Sequence, residues 1–126
     1  MKGKSGIVRA AADTAAQVVP NAHGATMQVL VGPEDGADRY ITRKFTLAPG
    51  GRIPCHLHPE IEHEQYMLSG VMRLGLGDKV HTAQAGDAVF IPAGEAHWYQ
   101  NDGDSPAEFL CIVPKTDKYE TEWLEE

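Results

Sequence analysis

Long hydrophobic runs are missing from this chain. The longest, such as "TMQVLVG" and "FLCIV", fall far short of the ~20 apolar residues that a membrane-spanning helix needs, so no membrane partner is expected. Basic charge is scarce too: 11 Lys and Arg stand against 18 Asp and Glu, a formal charge of -7 at pH 7. A protein that tracks a phosphate backbone wants a basic stripe, which argues against nucleic acid as a partner. Cysteine occurs only at Cys55 and Cys111, which demands no disulfide scaffold. Cys111 lies in an apolar run and reads as a buried thiol. The opening "MKGKSGIVRAAADTAAQVV" has no continuous apolar segment before Asp13, so a cytoplasmic protein without a secretory signal is expected. Helical periodicity is also lacking. "ADTAAQVV" suits at most a short helix capped by Asp13, and "YETEWLEE" a final turn.

What is present is turn chemistry. The 13 glycines and 8 prolines separate short apolar or β-branched segments, which read as strands at 25–31, 39–47, 55–59, 63–68, 71–77, 79–83, 87–92, 96–101 and 107–114. Regular short strands with such turns indicate an all-β antiparallel sandwich or barrel. At 126 residues there is room for one domain with one core. We divide it into an N-terminal arm (1–20), a barrel (21–115) and an acidic tail (116–126).

Three histidines and three glutamates crowd residues 56–64, "HLHPEIEHE". His56 and His58 are two apart, so on a strand they share a face. On the next strand His63, Gln65 and Met67 share one face, and Glu64, Tyr66 and Leu68 take the other. Later, "GDAVFIPAGEAHWYQN" sets His97 after a turn built on Pro92 and Gly94, with Tyr99 on the face of His97 and Trp98 on the opposite one. Neutral imidazole is the commonest protein metal ligand near neutral pH. His23 and His81 have no such pattern and read as structural or exposed.

Two motifs then match in register. Gly86, Pro92, Gly94, His97 and Asn101 fit G(x)5PxG(x)2H(x)3N, and Gly50, His56, His58 and Gly70 fit G(x)5HxH(x)3-4E(x)6G. On these residues the chain resembles a small single-domain cupin. The resemblance implies a jelly-roll barrel (a double-stranded β-helix), usually dimeric, with a divalent metal inside its open end. Where that pattern has glutamate, this sequence offers Glu62 or His63. The forward count from His58 allows either; the six-residue gap back from Gly70 selects His63. The two are adjacent and point opposite ways on a strand. The expected metal ligands are therefore His56, His58, His63 and His97, a set similar to that of four-histidine bacterial cupins. Glu60, Glu62 and Glu64 are left to the rim or outer face.

The resemblance points to Mn or Fe as cofactor, although Ni, Cu and Zn also suit nitrogen ligands. It implies a metal-dependent oxidoreductase, dioxygenase-like, acting on a small oxygen-bearing or aromatic molecule. Gln65 and Tyr99 are the candidate catalytic side chains. The alternatives are a non-redox isomerase or lyase and a non-catalytic binding protein, because one fold hosts all three. A homodimer is expected, with the arm crossing to the neighbour, and Arg52 is expected in solvent.

Overall fold

Alternation of small, apolar and polar residues makes nearly every element here a strand. A computed structural model describes residues 5–125; the first four residues of the arm and Glu126 of the tail lie outside the described residues. The strands are β1 (Gln17–Val18), β2 (His23–Val31), β3 (Tyr40–Leu57), β4 (His63–Ser69), β5 (Val71–Leu76), β6 (Lys79–Gln84), β7 (Ala88–Ile91), β8 (His97–Gln100), β9 (Ala107–Pro114) and β10 (Glu122–Trp123). Every pairing is antiparallel, in the order β6-β5-β8-β3-β9-β4-β7, with β2 and β10 also on β3 and β1 on β2. The fold is thus the all-β, curled antiparallel jelly roll that the sequence suggested.

One element differs from expectation. The segments 39–47 and 55–59, read as two strands, are joined from Tyr40 to Leu57 in the single 18-residue β3, which stops short of His58 and Pro59. The "APGG" segment between them bends the strand without ending it. Gly50 takes φ 80 there, a left-handed conformation that costs a glycine little. Around the bend Gly50 donates to Asn101 O (2.8 Å) and Asn101 donates to Gly51 O (2.9 Å), so the backbone polar groups stay satisfied. The first half of β3 pairs with β9 and the second half with β8. One strand therefore serves both halves of the barrel, and Leu47, Ile53, Met67, Leu74, Tyr99 and Phe109 from both halves make one core.

The tight β4–β5 turn rests on Gly70, at φ 78, where a Cβ would run into the Pro106 carbonyl. On β4 the side chains alternate strictly: His63, Gln65 and Met67 are buried, while Glu64, Tyr66 and Leu68 are exposed. Phe90 of β7 lies opposite Glu64 and joins Tyr66 and Leu68 among the exposed large apolar side chains.

Both ends of the described chain differ from the helical expectation. Asp13 closes a 3-10 turn over Ala11–Asp13 rather than capping a helix. The arm lies on its own barrel, with β1 on β2, Gln28 Nε2 donating to Ala11 O and Thr14 O, and Arg9 clamped to Asp35 at 2.6 and 2.8 Å. Near the C-terminus Glu122–Trp123 form β10, pairing Glu122 with Leu57 and Trp123 with His56. Among the described residues no helix is long and apolar enough to cross a membrane.

Candidate metal centre and its cavity

His56 and His58 leave the end of β3 on one face, His97 opens β8 directly opposite His56, and His63 opens β4. All four are buried, at 6%, 5%, 1% and 2% exposure in that order. Ring centroids lie 5.0 Å apart for His56–His58, 4.3 Å for His56–His97, 4.9 Å for His58–His63 and 5.3 Å for His63–His97. Ligand nitrogens of His56, His58 and His97 all fall within 4.8 Å of one another, so these three can hold a metal ion.

Their hydrogen bonds leave the right nitrogens free. The Nδ1 atoms of His56, His58 and His97 face the carbonyl oxygens of Pro54 (2.8 Å), Glu120 (2.8 Å) and Glu95 (2.9 Å). A carbonyl only accepts, so each ring carries its proton on Nδ1 and presents a bare Nε2. His97 Nε2 is buried with no hydrogen-bond partner, and His63 has none on either nitrogen. Orphaned buried polar atoms are costly, and a bound cation would take up Nε2 of His97 and the one bare nitrogen of a neutral His63. This donor set therefore fits a divalent ion.

Electrostatics keep the rings neutral. Burial, helped by the neighbouring His97, holds His63 down to about 2. Burial likewise lowers His97 to about 3 and His58 to about 4, and it lowers His56 below its ordinary value. Neutral imidazole is the ligating form.

The centre opens on a cavity of about 320 Å³ walled by Val18, Val19, Pro20, Met27, Phe45, Ile53, Tyr119 and Trp123. Among the described residues no Asp or Glu lines it. Tyr99 is at the wall, and its hydroxyl accepts from Gln65 Nε2 at 2.7 Å, leaving the phenolic hydrogen free to donate. Burial pushes this phenol well above its ordinary range, so it stays protonated. Gln65 stands behind Tyr99 and also reaches Cys111 Sγ at 3.5 Å.

Glu60, Glu62 and Glu64 are exposed, as are His23 and His81, and Phe90 is turned away from the cavity. Arg52, expected in solvent, is instead a latch: it meets Glu125 at 2.7 Å and Gln100 at 3.2 Å and lies over the outward-facing Trp98. Cys55 and Cys111 are both free thiols, and Cys111 is buried.

Two features of the site escaped the sequence reading. Arg43 lines the cavity, donating to Tyr119 Oη at 3.1 Å and to Cys111 Sγ at 3.2 Å. The signal was available, because Arg43 alternates with Phe45 and Leu47 on the inward face of β3. Tyr119 and Trp123 come from the tail and pack on His58 and His56, each with centroids 4.8 Å apart. No periodic pattern marks that segment.

The profile of the Cupin domain family matches residues 43–113. The solved structure of the polyketide cyclase RemF from Streptomyces resistomycificus superposes with a TM-score of 0.88 and 31% identity, over 97% of this chain and 87% of that one. Protein SchB of Streptomyces halstedii is 30% identical over 79% of this chain and 77% of its own length. Oxalate decarboxylase OxdC of Bacillus subtilis is 34% identical over 59% of this chain. The chain spans 16–33% of several larger curated relatives, OxdC among them at 20%.

Proposed function

The chain belongs to the cupin family, and from that premise we propose a metal-dependent enzyme of the polyketide-cyclase type, acting on a small oxygen-bearing aromatic molecule. His56, His58, His63 and His97 would hold the ion. The observation that carries the reading is a set of convergent, unprotonated imidazole nitrogens beside a mainly apolar cavity. The near full-length likeness to RemF supports cyclisation as the reaction class.

A divalent ion there supplies Lewis acidity to a carbonyl or enolic oxygen, and Mn or Fe would add one-electron chemistry. The imidazole set itself accepts Mn, Fe, Ni, Cu or Zn; the oxalate decarboxylase of Bacillus subtilis, 26% identical in sequence over 86% of this chain in its solved structure, has Mn(II) centres. The protein's own residues do the rest. Backbone carbonyls of Pro54, Glu95 and Glu120 hold three rings in the ligating tautomer. The apolar part of the wall lowers the local dielectric and so strengthens polar contacts inside. Tyr99, backed by Gln65, offers one protonated donor to a substrate oxygen.

A dioxygenase-like oxidoreductase is the second reading of the same centre. It is favoured by the absence of a carboxylate base from the described cavity lining. A second copy of the chain is the proposed cover for Tyr66, Leu68 and Phe90.

One preparation tests these points. Protein purified without chelator should carry about one ion per chain by elemental analysis, retained in Glu62→Ala and lost in His63→Ala. With an aryl triketone, loss of one water per turnover without oxygen uptake supports the cyclase, whereas oxygen uptake transfers the case to the oxygenase. Light scattering on the same sample should give twice the chain mass. No ion, even after reconstitution, removes the metalloenzyme reading.

A further inference from the structure

Arg43 is a guanidinium turned into a mainly apolar cavity in which, among the described residues, no carboxylate meets it. Its contacts are the Tyr119 hydroxyl, the Cys111 thiol and the ring faces of Phe45 and Tyr119, at 5.1 and 5.5 Å from the centroids. Its Nε is shielded from solvent and has no acceptor. The remaining titratable groups of the described wall are imidazoles, phenols and the thiol.

That arrangement is costly as it stands. Arginine does not give up its proton in a protein; Arg43 is half-buried with its Nε shielded, and a charge partly withdrawn from water is normally paired. The cost is understandable if a ligand brings the missing charge. The two rings flank the guanidinium without neutralising it, and Nη1 and Nη2 each spend one of their two N–H groups on Tyr119 and Cys111, which leaves one on each for a ligand. Met27, Phe45, Tyr119 and Trp123 supply flat apolar surface beside it.

We infer that this cavity selects a delocalised oxyanion carried on an aromatic body, with the anion seated on Arg43 and the ring held between the apolar walls. The inference rests on the cavity assigned above and deepens its substrate class. Arg43 is a binding and specificity residue here, separate from the histidines.

The probes are 2-naphthoate and its neutral isostere 2-naphthamide, titrated calorimetrically into the full chain as purified and again after chelation. Wild type should prefer the carboxylate at least ~10-fold, as expected for a charge-assisted, partly desolvated pair. Arg43→Gln should abolish that preference and leave naphthamide affinity within about two-fold, by the same reasoning. Arg43→Lys keeps the charge without the planar fork and should retain part of the preference. It also guards against a folding artefact in Arg43→Gln. Equal affinities in wild type, or a preference that survives Arg43→Gln, would overturn the inference. The two readings fail separately: a chain without metal can still pass this test, and a metal-loaded chain can fail it.

Discussion

At the scale of single residues, Asn101 shows how much one side chain can organise. It is wholly buried, and Nδ2 donates to Leu47 O (3.0 Å) and Ser105 O (2.8 Å) while Oδ1 accepts from Gly103 N (2.9 Å). Its backbone adds the two bonds that bracket the β3 bend at Gly50 and Gly51. Asn101→Ala would strand the Leu47 carbonyl in the interior, since nothing else in an alanine can donate to it. We expect a loss of about 2–4 kcal/mol of stability in urea unfolding, from the lost bonds and the desolvated partners. Asn101→Asp should be no better, because an ionised carboxylate replaces the donor with a second acceptor. A change under about 0.5 kcal/mol, the usual size of a surface substitution, would show that the bend holds without this residue.

Among the elements, the tail has the most to do with the site. β10 zips onto β3 next to His56, Leu124 N donates to Cys55 O at 2.9 Å, and Glu125 reaches both Cys55 N and Arg52 at 2.7 Å. The same segment supplies Glu120 O to His58 and lays Tyr119 and Trp123 on two of the four rings. Such outer partners orient ligands and raise their basicity. Truncation after Lys115 should therefore leave the barrel folded by circular dichroism and weaken the proposed ion by roughly 10- to 100-fold, read by competition with a chromophoric chelator. Unchanged affinity would reduce the strap to a cover.

For the molecule as a whole, the buried histidines set the response to acid. Each has a folded pKa below its usual 6.5, with His58 at about 4, His97 at about 3 and His63 at about 2. Below about 6.5 the unfolded chain binds protons that the folded chain refuses, so stability is full above that pH and falls as pH drops. Each histidine adds a slope approaching ~1.4 kcal/mol per pH unit within its window. The lowered carboxylates Asp35, Glu108 and Glu125 act in the same direction only below their ordinary value of about 4. The interval between pH 6.5 and 4.5 thus belongs to the histidines. Chelated protein should melt progressively lower across it, and His63→Asn, replacing one ring by a non-titrating amide, should flatten the dependence. A melting temperature that does not move over that interval would mean the rings are protonated or hydrated in the folded state.

Much of this molecule is written locally. Alternation over 63–68 and 107–114, with glycines at turns such as Gly70 that a Cβ would block, determined strand positions and which way His63 faces. That parity is a property of the extended backbone; it says only that Glu62 and His63 face opposite ways, and the spacing back from Gly70 chose between them. Other features depend on meetings between distant segments. The continuity of β3 through "APGG" depends on Asn101, about fifty residues later. The cavity is assembled from residues 17–20, Met27, and residues 43–63, 99–111 and 119–123, and it turned Arg43 from one inward position on a strand into a charge that no carboxylate among the described lining residues meets. A two-residue strand such as β10 carries no period to read, so only packing against His56 and His58 could assign the tail to the site.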